Sequence, residues 1–272
     1  MKISVIWFWD QASQTYPNWR DGLRGAMEQI EKDNEVRWFF DKYVPQPEDN
    51  FDFLLLWDDS NSEFFKLIDD YKCRKGLCLT TFPQNFDNLK KLDVVYCESQ
   101  AIYEAVRAAG VRAIKAFGTD TEFYKPNAKI KKDIEYFYPA TFSPWKRQRD
   151  ISYLGNKLLC VGTVQPDGAA DYNSAIENGV QVEVGYFPAE KIRDYYRRSK
   201  HVIIPAIHGS ERTVLEAMAM NILPEVVGDN PRAKSYLQEF KDSGARTTRD
   251  FIINNYSHFV YADKLLKGIN EG

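Results

Sequence analysis

The feature that most constrains this sequence is a regular alternation of short apolar runs with longer amphipathic stretches. The apolar runs have the length of buried strands, and the stretches between them carry apolar residues at helical spacing. This order of elements is typical of parallel sheets that are built from βαβ units. The chain is therefore predicted to be an α/β protein.

The first half of the chain is predicted to form one Rossmann-like domain with five strands. The strand candidates are KISVIWFW, EVRWFF, FDFLLLW, LCLTTF and DVVYCES. The helix candidates are RDGLRGAMEQIEKD, SEFFKLIDDYK and AIYEAVRAAG, and Gly110 is expected to close the last of them as a C-cap. This domain is assigned to residues 1–126.

A polar, lysine-bearing stretch, YKPNAKIKKD, is expected to link this domain to a second one. The strand candidates EYFYPA, NKLLCVGTV, VQVEVGYF, HVIIPAI and LPEVV follow, with helix candidates between them that include AEKIRDYYRRSK and ERTVLEAMAM. Residues 127–252 are therefore assigned to a second Rossmann-like domain. Two open parallel sheets that face one another across a cleft are the predicted architecture.

Composition and charge exclude several classes of protein. The 272 residues are 44% hydrophobic, which is enough for a core, and a net charge of −3 gives no global basic field for nucleic acid or an anionic membrane. Four cysteines without a C-x-x-C pair predict reduced thiols. No apolar run has the length of a membrane span, and the first residues lack the pattern of a signal peptide. A soluble, cytoplasmic protein is expected.

The loop HGSER is the strongest candidate for a binding site, because ligands of open parallel sheets bind beyond the carboxyl ends of the strands. A helix is expected to begin near Arg212, with Ser210 able to cap it. Gly209 and Ser210 would let backbone N–H groups approach an anion, and a diphosphate fits there. Glu216, further along the helix, would accept hydrogen bonds from ribose hydroxyls, or would otherwise be a solvent-facing helix residue.

Three segments carry a resemblance to a known family. The run VIIPAIHGSERTVLEAMAMNILPEVV resembles the donor-site motif of GT-B glycosyltransferases of family 4, the retaining, glycogen-synthase-like type. The usual form of that motif is PS-x-x-E-G-F-G-x-x-x-x-E-A-M-A-x-G-x-P-V-V. The run VVYCESQAIYEAVRAAGVRAIKAFGTDTEFYKP is similar to the segment that ends the family's N-terminal domain, and VQVEVGYFPAEKIRDYYRRSKHVIIPA is a weaker match.

The resemblance implies a glycosyltransferase that takes a sugar from a nucleotide-sugar donor, with UDP or GDP preferred over ADP. The sugar would go to an acceptor hydroxyl with retention of configuration. Glu216 matches the second glutamate of the family's E-x7-E motif, which holds the donor ribose. The first glutamate falls on His208, so the sugar contact would be made by His208 or shifted to Glu211.

The family also places an arginine and a lysine on the donor diphosphate. These positions fall on Thr141 and Lys146, so Arg147 or Arg149 would have to replace the missing arginine. Positive charge is needed there because the leaving diphosphate gains negative charge in the transition state. Lys146, with Arg147, is therefore predicted to stabilise the leaving group in a front-face displacement, since no residue is a convincing covalent nucleophile. Neither a metal nor another cofactor is expected.

Other site residues are implied by the same resemblance. Gly185 and Tyr186 would meet the nucleobase, and the stretch Gly209, Ser210, Glu211, Arg212, Thr213 and Val214 would bind phosphate and sugar. The candidate acceptor-side residues are Asp10, Tyr16, Trp19 and Thr81, although buried packing is an equal alternative for the two aromatic residues. Residues 253–272 are expected to form a helix that crosses back onto the N-terminal domain.

Two other functions remain open. A nucleotide-binding pseudoenzyme would explain the absence of the family's first glutamate, of its arginine and of its histidine after the fourth strand, and it predicts binding without turnover. A Rossmann oxidoreductase is disfavoured because no G-x-G-x-x-G follows the first strand. The sequence does not specify the acceptor, which would be a glycan, a lipid, a small molecule or a modified nucleobase.

Overall fold

The computed structural model describes residues 1–7, 20–40 and 44–271, and these form two compact α/β units. Unit 1 comprises Met1–Gly118 and His258–Gly272, and unit 2 comprises Thr119–Ser257. Each unit is built on its own sheet, and every strand pairing in both sheets is parallel. The predicted pair of Rossmann-like parallel-sheet domains is confirmed.

Unit 1 has a six-stranded sheet with the order β2-β1-β3-β4-β5-β6. Both faces of the sheet are buried, since Leu55 belongs to one apolar cluster and its neighbours Leu54 and Leu56 belong to another. In chain order, the elements of this unit before the boundary are β1 (Lys2–Trp7), α1 (Gly22–Ile30), β2 (Glu35–Phe40), β3 (Phe53–Asp58), β4 (Arg74–Leu79), α2 (Phe86–Leu89), β5 (Val94–Cys97), α3 (Gln100–Ala108) and β6 (Ala113–Lys115).

Two predictions for unit 1 are wrong. The stretch SEFFKLIDDYK is not an α-helix but two short 3-10 segments, Glu63–Lys66 and Ile68–Asp70. The chain becomes extended at Tyr71, whose hydroxyl donates to the carbonyl of Pro45 at 2.6 Å, so a tertiary contact ends the helical pattern. The sheet also has a sixth strand, β6, whose three half-buried residues are too few to show a period in the sequence.

Unit 2 has a five-stranded sheet with the order β11-β10-β7-β8-β9. In chain order, its elements are β7 (Ile134–Pro139), β8 (Leu158–Gly162), α4 (Ala169–Glu177), β9 (Gln181–Val184), α5 (Ala189–Arg198), β10 (Ser199–Ile204), α6 (Glu211–Ala219), β11 (Glu225–Val226), α7 (Pro231–Ser243) and α8 (Thr248–Tyr256). Two 3-10 segments, Gln148–Lys157 and Pro166–Gly168, flank β8. The strands run from β7 outward in both directions, so β7 and β10 mark the point where the strand order reverses.

The compact units divide at Gly118 rather than after Pro126. The backbone N–H of Thr119 donates to the carbonyl of Tyr256 at 2.8 Å. The guanidinium of Arg249 donates to the carbonyls of Thr121 and Tyr124, which lie just after the boundary. Residues just after the boundary are therefore fixed to unit 2, which moves them out of the predicted first domain.

The last helix, α9 (His258–Asn270), belongs to unit 1. The hydroxyl of Tyr96 in β5 donates to the carbonyl of Leu265 at 2.8 Å, and Gly268 lies so close to the Tyr96 ring that a Cβ would collide with it. The return predicted for residues 253–272 therefore begins at His258, because the residues before it are the end of α8 in unit 2.

Within the described residues, no helix combines the length and the apolar character that crossing a bilayer requires. All four cysteines are free thiols. Burial raises the pKa of the thiols of Cys78, Cys97 and Cys160 to about 12 in each case, so these three groups stay protonated at neutral pH.

Candidate functional site

The loops that follow β7 and β10 leave the sheet of unit 2 side by side. We call residues 140–147 the β7 loop and residues 205–210 the β10 loop. The two strands are hydrogen-bonded neighbours at the point where the strand order reverses. Such a reversal opens a crevice at the carboxyl edge of a parallel sheet. The loops are also joined directly, since the N–H of Ile207 donates to the carbonyl of Trp145 at 2.9 Å.

The β10 loop ends in two consecutive residues with a left-handed backbone. Gly209 has a φ of 72° and Ser210 has a φ of 71°, and α6 begins at the next residue. A left-handed residue followed by helical residues turns successive backbone N–H groups toward one point, which is a concave site for an anion. The N-terminus of α6 adds its partial positive charge at the same point.

Ser210 does not cap α6 with its side chain, contrary to the prediction. Its Oγ lies 3.0 Å from Nζ of Lys146, which donates to it, and 3.1 Å from the hydroxyl oxygen of Tyr138. The left-handed backbone directs the side chain toward these two groups. Ser210 therefore orients Lys146 rather than the first turn of the helix.

Lys146 of the β7 loop lies over the β10 loop. Its Nζ donates to the carbonyl of His208 at 3.3 Å and to Oγ of Ser210 at 3.0 Å. A Cβ at Gly209 would lie 2.5 Å from this flexible Nζ and would displace it, and the φ of 72° at this position also favours glycine. The structure thus places Lys146, the residue predicted to bind the diphosphate, beside the left-handed turn and the N-terminus of α6.

The buried side chain of Gln148 anchors the β7 loop. This fully buried side chain donates from Nε2 to the carbonyls of Ala140 and Thr141 at 3.2 and 2.9 Å. The Oγ1 of Thr141 lies 2.7 Å from Oγ1 of Thr163, which follows β8. Thr141, the position that the resemblance gives to an arginine, is therefore bonded to the end of the neighbouring strand.

The two arginines proposed as substitutes lie beside an acid of their own turn. Nε of Arg147 is 2.7 Å from Oδ2 of Asp150, and Nε of Arg149 is 3.9 Å from Oδ1 of the same side chain. Arg147 has a left-handed backbone with a φ of 56°. Both guanidinium groups are thus drawn toward Asp150 at the start of the segment Gln148–Lys157.

A buried ion pair joins the first turns of α6 and α7. Oε1 of Glu211 lies 2.9 Å from Nε of Arg232, and the two side chains are 5% and 14% exposed. Asn230, the N-cap of α7, accepts from the N–H of Ala233 and donates from Nδ2 to the carbonyl of Gly209 at 2.7 Å. Glu211, one of the two candidates for the sugar contact, is therefore engaged by an arginine.

Glu216 lies on the buried side of α6 with 6% exposure, so the alternative of a solvent-facing residue is wrong. The hydroxyl of Tyr196 donates to its Oε2 at 3.0 Å, and Nε of Arg212 is 3.8 Å from its Oε1. Burial and the nearby carboxylate hold the pKa of Tyr196 well above its usual range, although a hydrogen bond with Thr213 opposes the shift. Tyr196 therefore remains a donor that orients the carboxylate of Glu216.

His208 is exposed at the start of the left-handed turn. Partial burial of the ring lowers the pKa of His208, and the charges of Arg232 and Lys146 lower it further, against the opposing effect of Glu211. The imidazole is therefore neutral at pH 7, with one nitrogen that donates and one that accepts.

The other donor-side predictions lie at the same edge of the sheet. Gly185 and Tyr186 follow β9, where Gly185 has a φ of 143° and the Tyr186 side chain is 51% exposed. Val214 is fully buried, and its N–H donates to the carbonyl of Ser210 at 3.1 Å, so its side chain belongs to the core. Of the acceptor-side candidates, Asp10, Tyr16 and Trp19 lie outside the described residues. Thr81 is exposed after β4 in unit 1.

The described arrangement has two chemical capacities. An anion can bind at the left-handed turn, where the N-terminus of α6 and the ammonium group of Lys146 meet. The carboxylate of Glu216, further along the same helix, can accept hydrogen bonds from hydroxyl groups. Among the described residues, no group of three or more His, Cys, Asp or Glu side chains is placed to hold a metal ion.

Comparison with known proteins identifies the fold. No protein-family model matches the chain, and no curated protein matches its sequence. HepE of Anabaena, solved in complex with UDP and glucose, is similar with a TM-score of 0.66 at 12% identity over 100% of both chains. AviGT4, a glycosyltransferase involved in avilamycin A biosynthesis, has a TM-score of 0.64 at 11% identity over 100% of this chain and 97% of its own. The chain has the GT-B fold.

A third GT-B relative by structure has another activity. The UDP-GlcNAc 2-epimerase from Neisseria meningitidis, solved with UDP-GlcNAc bound, matches with a TM-score of 0.55 at 8% identity over 100% of both chains. Proteins with the GT-B fold therefore include an epimerase as well as a glycosyltransferase, so the fold alone does not specify a reaction.

Sequence reasoning missed four site residues of this GT-B chain: Tyr138, Tyr196, Asn230 and Arg232. One signal was available. Asn230 precedes Pro231, and an asparagine before a proline is the usual start of a helix. That pattern predicts α7 but does not predict which loop its first turn contacts. The tyrosines are spaced as core residues of β7 and α5, so their hydroxyl contacts have no local signal.

Proposed function

We propose that this protein is a glycosyltransferase that moves a sugar from a UDP- or GDP-sugar to an acceptor hydroxyl with retention of configuration. One observation carries the proposal. The left-handed turn at Gly209 and Ser210 precedes α6, Nζ of Lys146 lies 3.0 Å from Oγ of Ser210, and Glu216 is held inside the same helix. A nucleoside diphosphate requires a positively charged site for its phosphates and a hydrogen-bond acceptor for its ribose. The N-terminus of α6 with Lys146 can provide the first, and Glu216 in the same helix can provide the second.

Glu216 is assigned to the ribose of the donor. A carboxylate has about four lone-pair positions, and Tyr196 uses one of them, so further hydrogen bonds from ribose hydroxyls can be accepted. The donor of Tyr196 also fixes the rotamer of the carboxylate before the ligand arrives. Preorganisation of this kind reduces the entropy that binding costs.

Lys146 is assigned to the diphosphate. The bond between the anomeric carbon and the phosphate oxygen breaks as the acceptor oxygen forms a bond on the same face, and the leaving phosphate takes the acceptor proton. A positive charge and backbone N–H groups that are already in place stabilise the charge that develops on the leaving oxygen. Both carboxylates of the described site, Glu211 and Glu216, are engaged by other side chains, so we assign neither to nucleophilic attack.

A donor screen tests the proposal. We expect UDP or GDP, or a sugar that carries one of them, to raise the Tm, since ligand at one hundred times its Kd stabilises a protein by about 2.7 kcal/mol. ADP and NAD complete the screen, and a rise with either of these alone would contradict the proposal. Glu216→Ala should abolish the rise. Glu135→Ala, which removes a partly exposed glutamate near the start of β7, should keep it. Stabilisation by no nucleotide, or an equal rise in the Glu216 variant, would show that the proposal is wrong.

The similarity to an epimerase supports a second candidate function, and turnover separates the two. The nucleotide sugar that binds is incubated alone and with hydroxyl-bearing acceptors. A transferase releases the nucleoside diphosphate and forms a glycoside when the acceptor is present. An epimerase converts the nucleotide sugar without an acceptor. Binding without either reaction identifies a pseudoenzyme.

A further inference from the structure

A negatively charged side chain lies at the N-terminus of α6, where the proposed donor diphosphate would bind. Glu211 is the first residue of that helix and follows the left-handed turn. A carboxylate there interacts well with the helix dipole but repels an anion that approaches the same N–H groups. Because the side chain is 5% exposed, water screens little of this charge.

Arg232 lies where it cancels that charge. Its Nε is 2.9 Å from Oε1 of Glu211, and it is itself 14% exposed. The first turn of α7 is fixed against the β10 loop by the 2.7 Å hydrogen bond from Nδ2 of Asn230 to the carbonyl of Gly209. The position of Arg232 therefore depends on the docking of a helix and not on the chance rotamer of a surface side chain.

The charges around the turn show what the pair does. Of the three charged side chains that act on His208, Lys146 and Arg232 are cationic and Glu211 is anionic, so together they leave one net positive charge. Without Arg232 the net charge would be zero, and a buried carboxylate without its counter-ion would lie beside the phosphate site. An unpaired buried charge is costly by itself and repels a second negative charge at short range.

We infer that Arg232 is a positioning residue that allows the β10 loop to bind a diphosphate, because its ion pair with Glu211 neutralises the carboxylate charge at the N-terminus of α6. The inference rests on the proposed function, since it concerns the same donor site. The effect scales with the charge of the ligand. It is largest for a nucleoside diphosphate, smaller for a monophosphate and absent for the nucleoside.

Calorimetric titration with UDP, UMP and uridine tests this dependence, and GDP, GMP and guanosine replace them if the screen selects guanine. We expect Arg232→Gln to weaken UDP binding by about tenfold, UMP binding by less and uridine binding by under about twofold. The double variant Glu211→Gln with Arg232→Gln should restore UDP affinity to within about threefold of the wild type, because the carboxylate charge is also removed. Arg232→Lys, which keeps the charge, should retain the ratio of UDP to uridine affinity.

The matched control is Arg198→Gln. It removes a guanidinium from Asp133 in the same unit, but at the amino edge of the sheet, where Nε and Oδ1 are 2.8 Å apart. This variant should leave all three affinities unchanged. If Arg232→Gln does not fold, Glu211→Gln alone should tighten UDP binding several-fold and leave uridine unchanged, and an unchanged UDP affinity would contradict the inference.

Three results would overturn the inference. An equal loss for UDP, UMP and uridine in Arg232→Gln would show that the pair only supports the fold. A double variant as weak as the single one would show that charge cancellation is not the cause. An unchanged UDP affinity in Arg232→Gln would show that the pair has no part in binding. Failure of the proposed function looks different, since the wild type would then bind no nucleotide at all.

Discussion

The two sheets have the same parallel construction and differ at their carboxyl edges. In unit 2, hydrogen bonds tie the loops after β7 and β10 to one another, and Lys146 and Arg232 bring positive charge to them. In unit 1, the described residues after β3 and β4 include the exposed side chains of Asp59, Thr81 and Phe82. The fold therefore fixes where a ligand can lie, and the loop residues fix which charge it carries.

The acidic side chains at the two edges also have different partners. In unit 1, burial raises the pKa of Asp58, and hydrogen bonds from Ser62 and the backbone of Asp59 oppose the shift. In unit 2, Glu211 faces a guanidinium from another helix. Local hydrogen bonds oppose the effect of burial on Asp58, whereas an ion pair with Arg232 balances the charge of Glu211 and leaves the positive charge of Lys146 unopposed by that carboxylate. We therefore expect the anionic donor to bind at the edge of unit 2, and the assignment of the acceptor to unit 1 stays a prediction of the resemblance.

The largest test of this difference is Lys146→Ala. We expect turnover of the nucleotide sugar to fall by about a hundredfold to a thousandfold, because the preorganised positive charge at the leaving phosphate is lost. Turnover is measured as release of the nucleoside diphosphate under saturating donor.

Lys200→Ala is the control for Lys146→Ala, since it removes an exposed lysine that pairs with Glu135 at the opposite edge of the same sheet. Its turnover should match the wild type. A loss below about tenfold in Lys146→Ala would mean that the main cation of the leaving group lies elsewhere, since one preorganised donor contributes more than this.

A smaller effect is expected from Tyr196→Phe. The variant removes the donor to Glu216 and leaves a buried carboxylate with one hydrogen bond fewer, which should weaken nucleotide binding by about fivefold to tenfold. Titration calorimetry measures the Kd, with Tyr136→Phe in β7 as the control. Equal affinity of Tyr196→Phe and wild type would contradict the assignment of Glu216 to ribose.

The elements that form the candidate site could be predicted from the sequence, but the charge balance of the site could not. The apolar runs and the helix starts are local patterns, so they place β10, the HGSER loop and α6 to within a few residues. The pairing of Glu211 with Arg232 depends on how α7 docks, and the orientation of Glu216 depends on a tyrosine from α5. Contacts between distant elements leave no periodic pattern in one sequence.

The same reason explains the errors in the fold. The stretch SEFFKLIDDYK has helical spacing, but the extended backbone at Tyr71 and its bond to Pro45 override the pattern. The residues between Gly118 and Pro126 look like the end of the first domain, but Arg249 bonds them to unit 2. In both places, hydrogen bonds between residues distant in sequence determine the structure, and the local sequence pattern does not.

Phe82→Ala tests the acceptor side of the comparison. The side chain is 55% exposed, so its removal should change the free energy of unfolding by no more than about 0.5 kcal/mol. We expect the KM for the acceptor to rise by about threefold to tenfold through the loss of aromatic contact, with the Kd of the nucleotide unchanged.

Leu67→Ala, which removes another exposed apolar side chain of unit 1, is the control for Phe82→Ala and should change neither constant. A change in nucleotide affinity in Phe82→Ala would contradict the separation of roles between the two edges.

The smallest effect concerns His208. Because burial, Arg232 and Lys146 lower its pKa in the folded protein, the unfolded chain binds the proton more readily. The stability that neutral His208 contributes is therefore present above its ordinary pKa of about 6.5 and lost as the pH falls through the lowered value. NMR titration of the ring should give a midpoint below 6.5.

Nucleoside diphosphate should then raise this midpoint, because its negative charge opposes the two cations that lower it. The ring of His201, at the amino end of β10, is the reference that should not respond. A midpoint of His208 that stays constant when ligand binds would place the diphosphate away from the left-handed turn.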